Sequence, residues 1–72
     1  MTEIIILVTG GFDPIHSGHI AYFKDAKKLG NKLIVGVNSD NWLIQKKGSS
    51  FHPIQERIEI VSNLAVVDAA IE

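Results

Sequence analysis

Residues 8–23 read VTGGFDPIHSGHIAYF: the end of an apolar run, two glycines, an acid, a proline, two histidines three apart, then a helical pattern. A connection that only reversed the chain could use ordinary turn residues. This one gathers flexible and polar groups at a single point, as a loop built to hold a ligand would. Upstream, EIIILV at 3–8 is continuously apolar and rich in β-branched residues, which predicts a strand covered on both faces. Downstream, Ile20, Phe23, Ala26 and Lys27, with Leu29, keep helical spacing up to Gly30. Ser17 is the expected N-cap and Gly30 the expected C′ residue.

The rest of the chain repeats this alternation. KLIVGVN at 32–38 is a second short apolar strand, and SDNWLIQKKGSSFH at 39–52 reads as a short helix followed by a loop. From Pro53, the residues Ile54, Ile58, Val61, Leu64 and Ala65 fall on one helical stripe. VVDAAIE at 66–72 opens a third strand. The order β-α-β-α-β predicts an α/β fold: a Rossmann-like parallel sheet flanked by helices. Right-handed crossovers set the strands in the order 3-2-1, one half of a doubly wound fold. Residues 1–72 are therefore expected to form a single domain that is itself part of a larger fold. Its first strand would be an apolar edge, covered by the second half of the larger fold or by a second copy, and a homodimer is the expected partner.

A composition of 46% hydrophobic and 21% charged residues argues against disorder. The net charge of −1 gives no general attraction to nucleic acid or to an anionic membrane, and neither is expected as a partner. Without cysteine there are no disulfides and no thiolate metal sites, which suits a cytoplasmic location. Residues 4–8 are too short for a signal sequence, and no segment approaches a membrane span.

Ligands of open α/β sheets bind beyond the carboxyl ends of the strands. Gly10 and Gly11 let backbone N–H groups approach an anion there, and the following helix directs its positive end to the same place. His16 and His19 share a helix face and can donate to phosphate oxygens, while Gly18 keeps bulk away from the ligand. A metal pair is one competing reading, but H-x-x-H lacks a third ligand such as cysteine; residues that merely cap the helix are the other. A dinucleotide fingerprint fails on glycine spacing, and a Walker loop fails for want of G-K-[ST]. Trp42 reads as a core or lid aromatic, and His52 as a loop residue.

GGFDPIHSGH resembles the signature of the cytidylyltransferase-like nucleotidyltransferases, whose hallmark is H-x-G-H after a first strand. VGVNSDNW, the Lys46–Lys47 pair, FHPIQER and VVDAAI follow in the order seen in glycerol-3-phosphate cytidylyltransferases and heptose-phosphate adenylyltransferases. The resemblance implies transfer of a nucleoside monophosphate from CTP, or from ATP in an adenylyltransferase acting on a sugar phosphate, to a small phosphorylated acceptor. Pyrophosphate leaves, and Mg2+ accompanies the triphosphate. It implies His16, His19 and Lys46 as catalytic residues, with Gly10, Gly11, Phe12 and Gly18 completing the nucleotide site. Asp13, Asp40 and Arg57 are implied as acceptor-side residues, Asp13 with a metal or turn-ordering alternative and Asp40 with an orienting or capping one. Arg57 could instead pair with Glu56 or Asp13 on the surface. The family's later R-x-x-G-I-S-T-T-like segment has no counterpart here, so the resemblance covers its N-terminal half. A non-catalytic module that binds nucleotide or phosphate, or that dimerises, is the alternative from another class.

Overall fold

The computed structural model describes residues 3–72. The elements are β1 (Ile5–Gly10), α1 (Ser17–Lys27), β2 (Lys32–Val37), α2 (Asp40–Lys47), α3 (Ile54–Ser62) and β3 (Ala69–Ile71). The three strands are parallel in the order β1-β2-β3, as right-handed crossovers require. The fold is that of a Rossmann-like half, as the strand and helix pattern predicts.

In a parallel sheet, residues in register point to the same side. Ile6 and Val8 of β1 lie beside Leu33 and Val35 of β2, and Ala70 of β3 lies beside Val35. This face is packed by Phe23 and Ala26 from α1 and by Val61 from α3, with Leu33, Val35, Phe23 and Val61 fully buried. Asp68 locks the arrangement: its carboxylate accepts from the Leu33 N–H at 2.7 Å and pairs with Lys27 of α1 at 2.5 Å. That pairing with Lys27, together with the Leu33 N–H, holds the Asp68 carboxyl below the usual range.

The opposite face corrects one expectation. β1 is covered on one face only: Ile5 is 55% and Leu7 64% exposed, and Ile71 of β3 is exposed on the same side. β1 is also an edge strand, with β2 as its sole neighbour among the described residues. Two smaller boundaries shift as well. His16, not Ser17, is the N-cap of α1. The apolar stripe of α3 stops at Ser62, so Ala65 lies beyond the helix and is exposed. Among the described residues, no helix is long and apolar enough to cross a membrane.

Candidate active site

The site is built where β1 ends. Gly10 closes the strand, and its carbonyl accepts from the Asn38 N–H at 2.8 Å, which aligns the ends of β1 and β2. Phe12 follows with φ 52°, the left-handed region that bulky residues rarely enter. That conformation accompanies a ring buried beneath the turn, edge-on to Phe23 and to His19 with centroids 5.2 Å away in each case. A Cβ on Gly10 would lie 2.7 Å from the Phe12 ring, so glycine is what allows the ring to sit there. Phe12 thus provides the floor of the turn.

The two histidines hold each other. The His16 Nδ1 accepts from the Gly18 N–H at 3.1 Å, and the His16 N–H donates to His19 Nδ1 at 3.0 Å. This reciprocal arrangement is a capping box made from imidazoles. The rings stack with centroids 3.9 Å apart and planes 30° from parallel. With each Nδ1 used as an acceptor, each neutral ring carries its proton on Nε2, and neither Nε2–H has a partner among the described residues. Burial, and then the neighbouring His16, hold the His19 imidazole below its ordinary range. Gly18 leaves room for this geometry, since a Cβ there would lie 2.8 Å from the His16 ring. Its bulk is kept off His16 itself.

Asp13 orders the next loop. Its side chain is fully buried and accepts from the Phe51 N–H at 2.6 Å and the His52 N–H at 2.8 Å, and it pairs with Lys47 at 3.1 Å. Burial alone would raise its pKa, but these N–H groups and Lys47 outweigh it and hold the carboxyl below the usual range. Lys47 also donates to the Asp13 carbonyl at 2.7 Å.

Arg57 joins all the parts. It is 1% exposed, and its guanidinium donates to the carbonyls of His52 (3.0 Å), Gly11 (2.9 Å) and Asn38 (2.6 Å) and to Asp40 Oδ1 (2.6 Å). One side chain from α3 therefore ties the glycine turn, the end of β2, the start of α2 and the loop before α3. Its drawn partner is Asp40, not the Glu56 or Asp13 weighed from sequence. Glu56 instead meets His52 Nδ1 at 3.0 Å.

The expected residues thus divide. Gly10, Gly11, Phe12, His16, Gly18 and His19 come together at one turn. Asp13, Asp40 and Arg57 border it but use their polar atoms to hold protein groups. Lys46 points its ammonium over the Trp42 ring, 5.7 Å from the centroid, while Lys47 is the lysine that reaches the turn. Helical spacing could not choose between adjacent lysines. Nor does the site offer Mg2+ a protein cage: both Asp13 oxygens are engaged, and the described residues hold no group of three or more His, Asp or Glu suited to a metal.

Comparison with known proteins decides the relationship. The cytidylyltransferase-like family model matches residues 7–72. The chain belongs to the cytidylyltransferase-like family. Its relatives include proteins described as the bifunctional protein HldE. That of Blochmanniella pennsylvanica is 44% identical over 92% of this chain, and that of Proteus mirabilis 41% identical over the same share. The chain spans only 14% of the length of either relative. The crystal structure of the lipopolysaccharide core biosynthesis protein from Thermoplasma volcanium superposes with a TM-score of 0.92 at 38% identity. That comparison covers 97% of this chain and 57% of the solved one. Membership makes the chain a nucleotidyltransferase-like domain, and the turn from Gly10 to His19 is its candidate site.

Proposed function

We propose that this chain supplies the phosphate-binding part of a nucleotidyltransferase that moves AMP from ATP to the phosphate of a sugar phosphate. The observation that carries the reading is the stacked pair His16–His19, with two unpartnered Nε2–H donors above a glycine turn at a strand end. The sugar-phosphate form is favoured over CTP and a polyol phosphate by the relatives described as HldE and by the lipopolysaccharide core biosynthesis protein. ATP is the donor that the likeness to heptose-phosphate adenylyltransferases pairs with that acceptor.

An acceptor phosphate oxygen is already anionic at neutral pH, so the chemistry asks for no general base. That oxygen forms a bond to the α-phosphorus in line as the bond to the bridging oxygen breaks, and the electron pair leaves on pyrophosphate. Negative charge grows on the leaving side. The Nε2–H groups of His16 and His19 are fixed by their own Nδ1 contacts before substrate arrives, so they stabilise that charge without reorganising. Backbone N–H groups near Gly11 and the start of α1 add fixed dipoles. Lys47 and Arg57 keep the turn in shape, each with its charge balanced by a carboxylate, Asp13 and Asp40 respectively.

The test is pyrophosphate release by the complete protein with ATP or CTP against sugar phosphates and polyol phosphates. Release with ATP and a sugar phosphate supports the proposal. Release with CTP and glycerol 3-phosphate alone would replace it with the cytidylyl reading.

A further inference from the structure

Trp42 does not sit in the core. It is 40% exposed on α2, and its ring edge borders the glycine turn: a Cβ built on Gly11 would lie 3.3 Å from Trp42 Cζ3. Leu43 beside it is buried and anchors this part of the helix against the same turn. Lys46, one helical turn on, holds its ammonium over the indole. Among the described residues Lys46 has no carboxylate partner, whereas Lys47 is held by Asp13. The turn is thus flanked by an exposed aromatic wall carrying one uncommitted cation.

We infer that Trp42 and Lys46 form the acceptor subsite, taking a sugar phosphate with its ring against the indole and its phosphate on Lys46. This rests on the transferase reading above and names which part of the site meets the acceptor. The ligand chemistry follows from the pair. An indole offers a flat apolar surface to the C–H face of a sugar, and an ammonium a few ångströms above it rewards an anion attached to that sugar. A free nucleobase would cover the indole but bring no charge to Lys46. Inorganic phosphate would meet Lys46 but leave the indole uncovered. Position beside Gly11 also suits the acceptor, whose phosphate oxygen must come into line with a triphosphate held at the turn.

Trp42 is the single tryptophan of the chain, so its fluorescence reports on this subsite alone. The chain is titrated with glucose 1-phosphate, mannose 1-phosphate, glucose, inorganic phosphate and ATP, while histidine NMR signals are followed in parallel. A saturable change in emission with a sugar phosphate, but not with glucose or inorganic phosphate at equal concentration, is the expected result. Lys46→Ala should weaken that response about tenfold, the scale of a lost hydrogen bond to a charged group, and Lys24→Ala on exposed α1 should leave it unchanged. Two outcomes overturn the inference: an emission change produced by ATP alone, or a sugar-phosphate response indifferent to Lys46→Ala. A third does so too, namely silence with the sugar phosphates up to about 10 mM, beyond the range of a weak millimolar site. In each case, ATP-induced shifts of His16 and His19 would leave the transferase reading standing. Silence of both probes would remove the two together.

Discussion

The imidazoles of His16 and His19 are bound to each other's backbone neighbourhood through Nδ1, and this sets which nitrogen each presents to a ligand. The proposed mechanism therefore gives the pair two separable duties, capping α1 and donating from Nε2. Asparagine caps helices well but has no group at the Nε2 position. His16→Asn should keep the thermal midpoint within a few degrees while lowering kcat about 10²–10³-fold, the cost of one lost transition-state donor. His16→Ala should lower both, losing roughly 1 kcal/mol of stability with the cap. Denaturation and steady-state kinetics on the two variants separate the duties; equal turnover in His16→Asn and the unmodified enzyme would deny His16 a part in catalysis.

Arg57 carries the heaviest structural demand. Its removal leaves three carbonyls and the Asp40 carboxylate without their donor at the base of the site. Breaking such a buried network costs about 3–5 kcal/mol, comparable to the whole stability of a domain this small. Arg57→Ala should therefore be largely unfolded at 25 °C by circular dichroism. Arg57→Lys, one cation with a different reach, should fold with a lower midpoint. Asp40→Asn should cost far less, since Asp40 is partly open to solvent. A midpoint unchanged in Arg57→Ala would contradict the role given to this residue.

Much of this was legible in the sequence, and the failures share a cause. Apolar strands alternating with helical stripes gave the parallel sheet, and the glycines and histidines between residues 10 and 19 marked the turn that forms the candidate site. Arg57 sits on an amphipathic helix where arginine usually faces water. Its burial depends on the carbonyls of Gly11, Asn38 and His52, and a carbonyl has no signature in sequence. That Lys47 rather than Lys46 reaches Asp13 turns on one residue of helical phase. The run Ile4–Ile5–Ile6–Leu7–Val8 is apolar on both sides, so it could not say which face this part of the chain covers.

Acid should weaken the fold through two carboxylates. The pKa values of Asp13 and Asp68 are both depressed, so their stabilisation is complete above the ordinary aspartate value and is lost as pH falls through the lower folded values. Denaturant midpoints measured from pH 7 to pH 2 should fall steeply at the acid end. Asp13→Asn should flatten that fall while lowering stability at pH 7 by about 1–3 kcal/mol, because an amide cannot accept from both Phe51 and His52. An acid limb as steep in Asp13→Asn as in the unmodified chain would contradict this assignment.

The bare face of β1 should make the chain associate. Ile5 and Leu7 are exposed on an edge strand with an open side, a surface suited to a second copy. Sedimentation equilibrium should show dimers or larger species growing with concentration. Leu7→Lys should reduce them without unfolding the chain, since Leu7 lies outside the packed face. A monomer across the whole concentration range would remove the homodimer from the account.

The claim on which the account depends is that His16 and His19 present Nε2–H to a triphosphate. Long-range 15N–1H spectra of the three histidines, recorded across pH with and without ATP, test it directly. Without nucleotide, His19 should titrate below the ordinary imidazole range, with its proton on Nε2. Millimolar ATP should shift the Nε2 signals of His16 and His19 and raise the His19 midpoint, because nearby phosphates favour imidazolium; affinity should accordingly weaken as pH rises. Unmoved signals from both residues in the presence of ATP and of CTP would contradict the account at its centre.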